Sequence, residues 1–278
     1  IREGLLPKDL AKELMKFLES SDESVRLEAW DDMVELVKNG VLTPEEVKER
    51  KRYLFELLES KDELVRLGAW GRVDWLIDLG VFTRDDAKEF LRFLESSDED
   101  LRENAWGSVG ELVKNGVLTP EEVKERRKYF FELLESKDED LRKRSWDVVG
   151  DMLDYGLIDR DYARDFLKLL ESPEKDVRRD AWISAGGLIM SGVLTPEEVK
   201  ERKKYLFELL ESKDESVRRD MWSSAGGLID LGVFTRDDAK EFLRFLESSD
   251  EDLRENAWGS VGELVKNGVL TPEEVKER

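Results

Sequence analysis

The sequence predicts an all-α fold, an α-solenoid built from repeated two-helix units. A segment that runs from Ser60 to Trp70 recurs along the whole chain with its Arg and Trp in register. A motif that begins with glycine recurs between these segments, at steps that alternate between 36 and 40 residues. In its full form it reads Gly-Val-Leu-Thr-Pro-Glu-Glu-Val, and we call it the glycine marker. Self-similarity of this period is typical of arrays in which each unit packs on its neighbours. We therefore expect the 278 residues to form a single solenoid domain. The predicted repeats cover residues 4–39, 40–79, 80–115, 116–155, 156–191, 192–231 and 232–267, with a partial repeat at 268–278.

The glycine marker has the chemistry of a helix boundary on both sides. Gly40 suits the left-handed conformation that ends a helix, and Thr43 is a good N-cap for the next helix. Pro44 fits the first helical position, and Glu46 completes a capping box. The full marker begins at Gly40, Gly116, Gly192 and Gly268, and shorter relatives begin at Gly4, Gly80, Gly156 and Gly232.

Ser60 marks the second boundary of the repeat, because Glu63 follows it with the spacing of a capping box. The second repeat should then contain a first helix over about 44–59 and a second helix over about 61–79. The four extra residues of the longer repeats all fall before this Ser. Since four residues are close to one helical turn, they lengthen the first helix without turning its apolar face away from the core.

The second helix has one apolar arc on a helical wheel, and this arc contains Val65, Ala69 and Trp70, with Arg66 inside it. The Asp-x-x-[Val/Leu]-Arg-x-x-Ala pattern resembles HEAT repeats, and the resemblance covers essentially the whole chain. It implies a right-handed solenoid with Asp and Arg ladders between neighbouring repeats. The alternating repeat length and the Trp after the Ala position depart from the family pattern. The ladder positions are Asp22/Arg26, Asp62/Arg66, Asp98/Arg102, Asp138/Arg142, Glu174/Arg178, Asp214/Arg218 and Asp250/Arg254.

The residues that change between copies lie one, two and five positions after the recurrent Trp, opposite the apolar arc. In a two-helix solenoid one helix layer lines the concave surface, where such proteins usually bind. We interpret the variable arc as a candidate binding face. The alternative, that solvent simply tolerates any residue there, stays open. The candidate residues are Asp31, Asp32, Glu35, Gly71, Arg72, Trp75, Ser108, Glu111, Asp147, Asp151, Ile183, Ser184, Ser223 and Ser224.

Trp75 occurs once on this arc and is the best single candidate for an exposed anchor, with chance placement as the alternative. The Trp that recurs in every copy is better interpreted as packing at the seam between repeats than as a ligand platform. Glycines inside the second helices, such as Gly110, indicate either a close backbone approach or a looser helix.

Composition limits the classes of function. The net charge of −21 argues against general nucleic-acid binding and favours basic or neutral protein or peptide partners. The chain has no Cys and no His, so we expect no enzymatic activity, no metal and no cofactor. No apolar run reaches membrane-spanning length, so we expect a soluble protein with no membrane partner, cytoplasmic by default. Abundant Glu, Lys and Arg also indicate a thermostable or an idealised engineered protein.

Two further hypotheses come from the sequence. Residues 76–126 and 228–278 are identical, which indicates a recent duplication or an array assembled from repeated modules. Such an array could associate with itself through uncapped ends. A third hypothesis, action on nucleic acid, exists because some HEAT-like proteins use concave Trp and Asp residues for it, and the acidity of this chain disfavours it.

Overall fold

The computed structural model describes residues 7–278, and the predicted boundary at Gly4 lies outside the described residues. Secondary structure in this range consists of helices and turns, with no β-strand. The residues form two compact units, the first ending at Leu157 and the second covering Ile158–Arg278. No helix in this range is both long and apolar enough to cross a membrane.

Each unit consists of helical pairs, which we number along the chain. Every second helix packs on the first helix of its own pair, and second helices of successive pairs pack together within a unit. The first unit contains pair 1 (Lys8–Leu14, a 3₁₀ turn Met15–Glu19, then Glu23–Lys38), pair 2 (Pro44–Lys48 and Lys51–Leu58, then Glu63–Asp78), pair 3 (3₁₀ turn Arg84–Asp86 and Ala87–Leu94, then Glu99–Gly107 and Val109–Lys114) and pair 4 (Pro120–Glu125 and Arg127–Leu134, then Glu139–Asp154). The second unit contains pair 5 (3₁₀ turn Arg160–Tyr162 and Ala163–Leu170, then Lys175–Met190), pair 6 (Pro196–Lys200 and Lys203–Leu210, then Glu215–Asp230), pair 7 (3₁₀ turn Arg236–Asp238 and Ala239–Leu246, then Glu251–Gly259 and Val261–Lys266) and a last helix, Pro272–Lys276.

The boundaries at the glycine marker are confirmed. Gly40 has a φ of 68°, in the left-handed region that only glycine occupies at little cost. Thr43 Oγ1 accepts from the backbone N–H of Glu46, and the Glu46 carboxylate accepts from the backbone N–H of Thr43. The same positive φ occurs at Gly80, Gly116, Gly156, Gly192, Gly232 and Gly268, and the same capping box at Thr119, Thr195 and Thr271.

The predicted start of the second helix at Ser60 is wrong by two residues. Asp62 is the N-cap of Glu63–Asp78, and its carboxylate accepts from the backbone N–H groups of Leu64 and Val65. Ser60 Oγ instead accepts from the backbone N–H of Asp62 at 3.1 Å. Both residue types are good N-caps, and the carboxylate prevails because it accepts two helical N–H groups at once.

The predicted continuous first helix of pair 2 is also divided. Pro44–Lys48 and Lys51–Leu58 are separated by a tight turn, in which the backbone N–H of Arg50 donates to the Val47 carbonyl at 2.9 Å. The shorter pair 3 has only a 3₁₀ turn, Arg84–Asp86, at the corresponding place. The extra residues therefore form a short helix of their own.

The recurrent Trp joins the two helices of its pair to the next pair. Trp70 is buried, and its Nε1 donates to the Leu58 carbonyl at the end of the first helix at 3.2 Å. Its ring packs edge-on against Phe93 of pair 3 with centroids 5.5 Å apart. This is the seam packing that the sequence predicts for the recurrent Trp.

The two identical segments meet different surroundings. Trp106, in residues 76–126, is only 1% exposed and packs against Phe130 of pair 4 at 5.0 Å. Trp258 is its counterpart in residues 228–278 and is 39% exposed. The burial of this Trp is therefore determined by the neighbouring helices.

Candidate binding surface on the second helices

We call the solvent-exposed side of the second helices the second-helix face. In the first unit it carries most of the predicted variable residues. Asp31, Asp32 and Glu35 are exposed on the second helix of pair 1, and Gly71 and Trp75 are exposed on that of pair 2. Trp75 is 53% exposed, a large value for an indole.

Arg72 and Trp75 are held by residues of pair 1. The Arg72 guanidinium donates to both carboxylate oxygens of Asp31, at 2.8 and 2.5 Å, and to the Gly68 carbonyl. The ammonium of Lys38 lies 3.7 Å from the centroid of the Trp75 ring, which is a cation–π contact. Arg72 is thus held by Asp31 and Gly68, and the exposed Trp75 ring has Lys38 as its neighbour from pair 1.

A polar network lies between the second helices of pairs 2, 3 and 4. Tyr155 donates a hydrogen bond to Glu111, which lowers the pKa of Glu111 and raises that of Tyr155 to about 12. Lys114 also reaches Glu111, at 3.0 Å. Ser108, at the break in the second helix of pair 3, is buried and hydrogen-bonds Asp74, whose pKa is nevertheless raised because burial disfavours its charge.

The remaining part of this face is acidic. Glu103 is buried and its pKa is raised by burial, against the opposing effect of Arg144 at 3.5 Å. Asp147 and Asp151 are exposed on the second helix of pair 4. The cations of the region, such as Arg144 and Lys114, are thus already engaged by carboxylates.

In the second unit the predicted residues line a more polar surface. Ile183 is exposed and Ser184 half-buried on the second helix of pair 5. Ser223 is exposed, and Ser224 Oγ donates to the Asp220 carbonyl at 3.0 Å. A groove of about 540 Å³ separates pairs 6 and 7, and its walls include Arg219, Trp222, Ser223, Asp252 and Asn256.

The acidic residue and the Arg of each predicted ladder position both make hydrogen bonds within their own pair. The acidic residue is the N-cap of the second helix, with a side-chain cap hydrogen bond at Asp22, Asp62, Asp98, Asp138, Asp214 and Asp250. Glu174 occupies the same position without such a bond. Each Arg donates to the carbonyl of the Ser six residues before it, at distances from 2.5 to 2.9 Å, in Arg26, Arg66, Arg102, Arg142, Arg178, Arg218 and Arg254.

Between neighbouring pairs the Arg meets acids other than the N-cap residue. Arg66 lies 3.9 Å from Asp100, and Arg218 lies 3.3 Å from Asp252, in each case two residues beyond the next N-cap. Arg178 lies 3.5 Å from Glu208 on the first helix of the next pair. The hydrogen bond of the Arg to the turn of its own pair is therefore shorter than its contacts with the next pair.

Sequence reasoning missed Lys38, Asp74 and Tyr155 on this face, as well as the exposed Leu64 and Leu67. The signal for the two leucines was their position, because other repeats have mostly polar residues there. Tyr155 lies over Gly110, where a side chain would collide with its ring. The sequence pattern of one repeat cannot predict that contact, because the two residues belong to different pairs.

Among residues 7–278 no group of three or more acidic side chains has the arrangement of a metal site. The second-helix face offers apolar contact, hydrogen bonds and negative charge. Those are the means by which proteins bind other proteins.

No protein-family model and no curated protein sequence matches the chain. Among solved structures the chain is similar to the crystal structure of Cex1p, with a TM-score of 0.62 and 13% sequence identity. The match covers 92% of this chain and 52% of the Cex1p chain, so the chain spans about half the length of that protein. At this identity the likeness concerns the fold alone, and it supports a helical-repeat fold.

Proposed function

We propose that this chain is a non-enzymatic binding scaffold, a right-handed HEAT-like α-solenoid with alternating 36- and 40-residue repeats. Its second-helix face forms the concave surface, and the ligand is a basic or neutral protein or peptide. The chain needs no cofactor, metal, nucleic acid or membrane for this role.

The observation that carries the proposal is the contrast between the two sides of the helical pairs. Ion pairs on the first-helix side recur at the same places in both units, with a guanidinium 2.6 Å from a carboxylate in Arg84–Glu122, Arg160–Glu198 and Arg236–Glu274. At the variable positions of the second-helix face the contacts differ from pair to pair. Arg72–Asp31 and Tyr155–Glu111 each occur once among the contacts of residues 7–278. A constant framework with one variable side is typical of repeat proteins that bind through that side.

The charge of the variable side indicates the kind of partner. Asp31, Asp32, Glu35 and Glu111 lie on it, and the cations near them are paired. Such a surface accelerates association with a basic partner and suppresses binding of acidic ones. Binding should therefore weaken as the salt concentration rises.

The test is capture of a partner on the immobilised chain, with identification by mass spectrometry, followed by two variants of equal charge change. Asp32→Lys with Glu35→Lys alters the second-helix face, and Glu45→Lys with Glu56→Lys alters exposed positions on the first-helix side. We expect the first variant to lose the captured partner and the second to keep it. If the second variant loses the partner and the first keeps it, the proposal is wrong.

A further inference from the structure

The second helix of pair 2, Glu63–Asp78, carries an exposed apolar ridge. Leu64 is 81% exposed, Leu67 44% and Trp75 53%. At about 100° per residue, these three side chains and Gly71 fall within an arc of about 80°. The three side chains therefore lie in line along one side of a single helix, with Gly71 between Leu67 and Trp75, and we call them the Leu64–Trp75 ridge.

The framework of the repeats does not require apolar residues at these places. The corresponding positions in the other six pairs hold one apolar residue, Leu27, and otherwise polar, charged or glycine residues. These residues are Ser24, Leu27 and Glu35; Asp100, Glu103 and Glu111; Asp140, Lys143 and Asp151; Asp176, Arg179 and Gly187; Ser216, Arg219 and Gly227; and Asp252, Glu255 and Glu263. The same fold thus forms with charges where pair 2 has two leucines and a tryptophan.

Carboxylates border the ridge on both sides. On the side of pair 1 lie Glu28, Asp31, Asp32 and Glu35, all exposed. On the side of pair 3 lie Asp74, Asp100, Glu103 and Glu111. Five cations lie among these eight carboxylates and leave the borders acidic: Arg72 binds Asp31, Arg66 lies 3.9 Å from Asp100, Arg144 lies 3.5 Å from Glu103, Lys114 binds Glu111 and Lys38 lies on the Trp75 ring. An apolar strip between two acidic borders is complementary to an apolar strip between two basic borders.

Trp75 is prepared for such contact. The Lys38 ammonium lies 3.7 Å from the centroid of its ring, so the orientation of the indole is favoured in the free chain. A side chain that is already ordered loses little conformational entropy on binding. Trp is also the residue type most enriched among binding hot spots.

We propose that the Leu64–Trp75 ridge binds an amphipathic α-helix of a partner protein, with an apolar strip bordered by Lys and Arg. This proposal rests on the proposed function and names the partner of the same face. From Leu64 to Trp75 the ridge extends about 16 Å at 1.5 Å per residue, the length of about three turns of a ligand helix. Residues 7–278 offer no β-strand edge that an extended peptide could join, whereas a helix packs onto a helical ridge directly.

The test uses the full 278-residue chain and a displayed library of 15-residue amphipathic helices, in which the apolar strip and the charged borders both vary. We expect selection to enrich helices with Lys and Arg borders. Their synthetic peptides should bind at least 10-fold more tightly than peptides with the same apolar strip and Glu borders, and more weakly as salt is added.

The decisive variant replaces the ridge with residues that pair 3 carries at the same positions, Leu64→Asp, Leu67→Glu and Trp75→Glu. These changes add negative charge, so a purely electrostatic interaction with a basic peptide would become stronger. We expect at least a 10-fold loss of affinity, because the apolar contacts are removed. The matched control is Leu10→Glu with Phe17→Glu, which removes two exposed apolar side chains from the first helix of pair 1 and its 3₁₀ turn, outside the second-helix face, and should leave affinity unchanged. Circular dichroism and a thermal midpoint close to that of the parent chain establish that the variants are folded.

Two results would overturn the proposal. One is selection of helices without a basic border, or of none at all. The other is an affinity that the ridge variant does not lower. If Ile183→Glu with Met190→Glu, elsewhere on the second-helix face, lowers the affinity and the ridge variant does not, this face still binds a protein segment and only the assignment to the ridge is wrong.

Discussion

Gly110 and Gly262 occupy the same position in two identical stretches of sequence but meet different neighbours. A Cβ at Gly110 would overlap the ring of Tyr155, whereas a Cβ at Gly262 would meet no atom within 4 Å. The close approach that the sequence suggested for the glycines of the second helices therefore occurs at Gly110. Gly150, Gly226 and Gly262 have open space instead.

This difference predicts unequal changes in stability for the same substitution. Gly262→Ala should stabilise the chain by up to about 1 kcal/mol, because alanine is the better helix former. Gly110→Ala should gain less or destabilise, because the Tyr155 ring must move and its hydrogen bond to Glu111 is lost. Urea unfolding compares the two variants in identical local sequence. Equal stabilisation by both would show that Tyr155 does not lie on Gly110.

The tyrosine itself gives a second measurement of the same contact. The difference in tyrosinate absorbance between the parent chain and Tyr155→Phe should titrate with a midpoint at about 12. In Gly110→Ala the midpoint should fall towards the ordinary value, about 10, because Glu111 no longer accepts the hydrogen bond.

Glu122 joins a helix cap to an ion pair between two first helices. Its carboxylate accepts from Arg84 and from the backbone N–H of Thr119, and these contacts lower its pKa to about 2. A carboxylate with a lower pKa in the folded chain adds stability above the pKa of the unfolded chain, about 4.3. That contribution disappears as the pH falls towards 2.

Glu122→Gln should therefore lower the free energy of unfolding at pH 7 by up to about 1 kcal/mol, the range of exposed ion pairs. The loss should shrink as the pH is lowered towards 2. Urea unfolding at several pH values measures both, with Glu121→Gln, at the exposed neighbouring position, as the control. A loss that is independent of pH would contradict the assignment of the low pKa to Glu122.

A buried ladder Arg of a second helix should matter more than an exposed Arg of a first helix. Arg66 is buried and donates to the Ser60 carbonyl at 2.9 Å, so Arg66→Met removes a charged donor from the turn between the helices. We expect a loss of about 1–3 kcal/mol in the free energy of unfolding. Arg52→Met, at an exposed position next to Tyr53, should change it by less than about 0.5 kcal/mol. Equal effects would show that the bond to Ser60 contributes little.

Helix boundaries were predictable to the extent that their chemistry is local. The positive φ of Gly40 and the capping box of Thr43 and Glu46 depend on a few consecutive residues, so the sequence predicts them correctly. The N-cap at Asp62 was missed because Ser60 is an equally good local candidate. Contacts between pairs, such as Lys38 with Trp75, depend on which helices become neighbours in space, and the repeat pattern does not contain that information.

Repeated pairs should also limit how far a perturbation spreads. In repeat arrays each unit contacts mainly its neighbours, so stability is close to a sum of local terms. Leu57 is fully buried in pair 2, and Leu57→Ala should cost about 2–5 kcal/mol locally. Hydrogen exchange should show the largest loss of protection in pair 2, less in pairs 1 and 3, and least in the second helix of pair 4, Glu139–Asp154. A uniform loss across the first unit would indicate all-or-none unfolding of that unit.

The two identical segments also differ in a property that fluorescence can measure, the exposure of one tryptophan. Trp106 and Trp258 have the same flanking sequence, but one indole is 1% exposed and the other 39%. In a Trp75→Phe variant, which removes the other strongly exposed indole of residues 7–278, a neutral quencher such as acrylamide should therefore reach the fluorescence of Trp258 and leave that of Trp106 almost unchanged. In that variant, a molecule that covers the second helix of pair 7 should shift the Trp258 emission to the blue and protect it from the quencher.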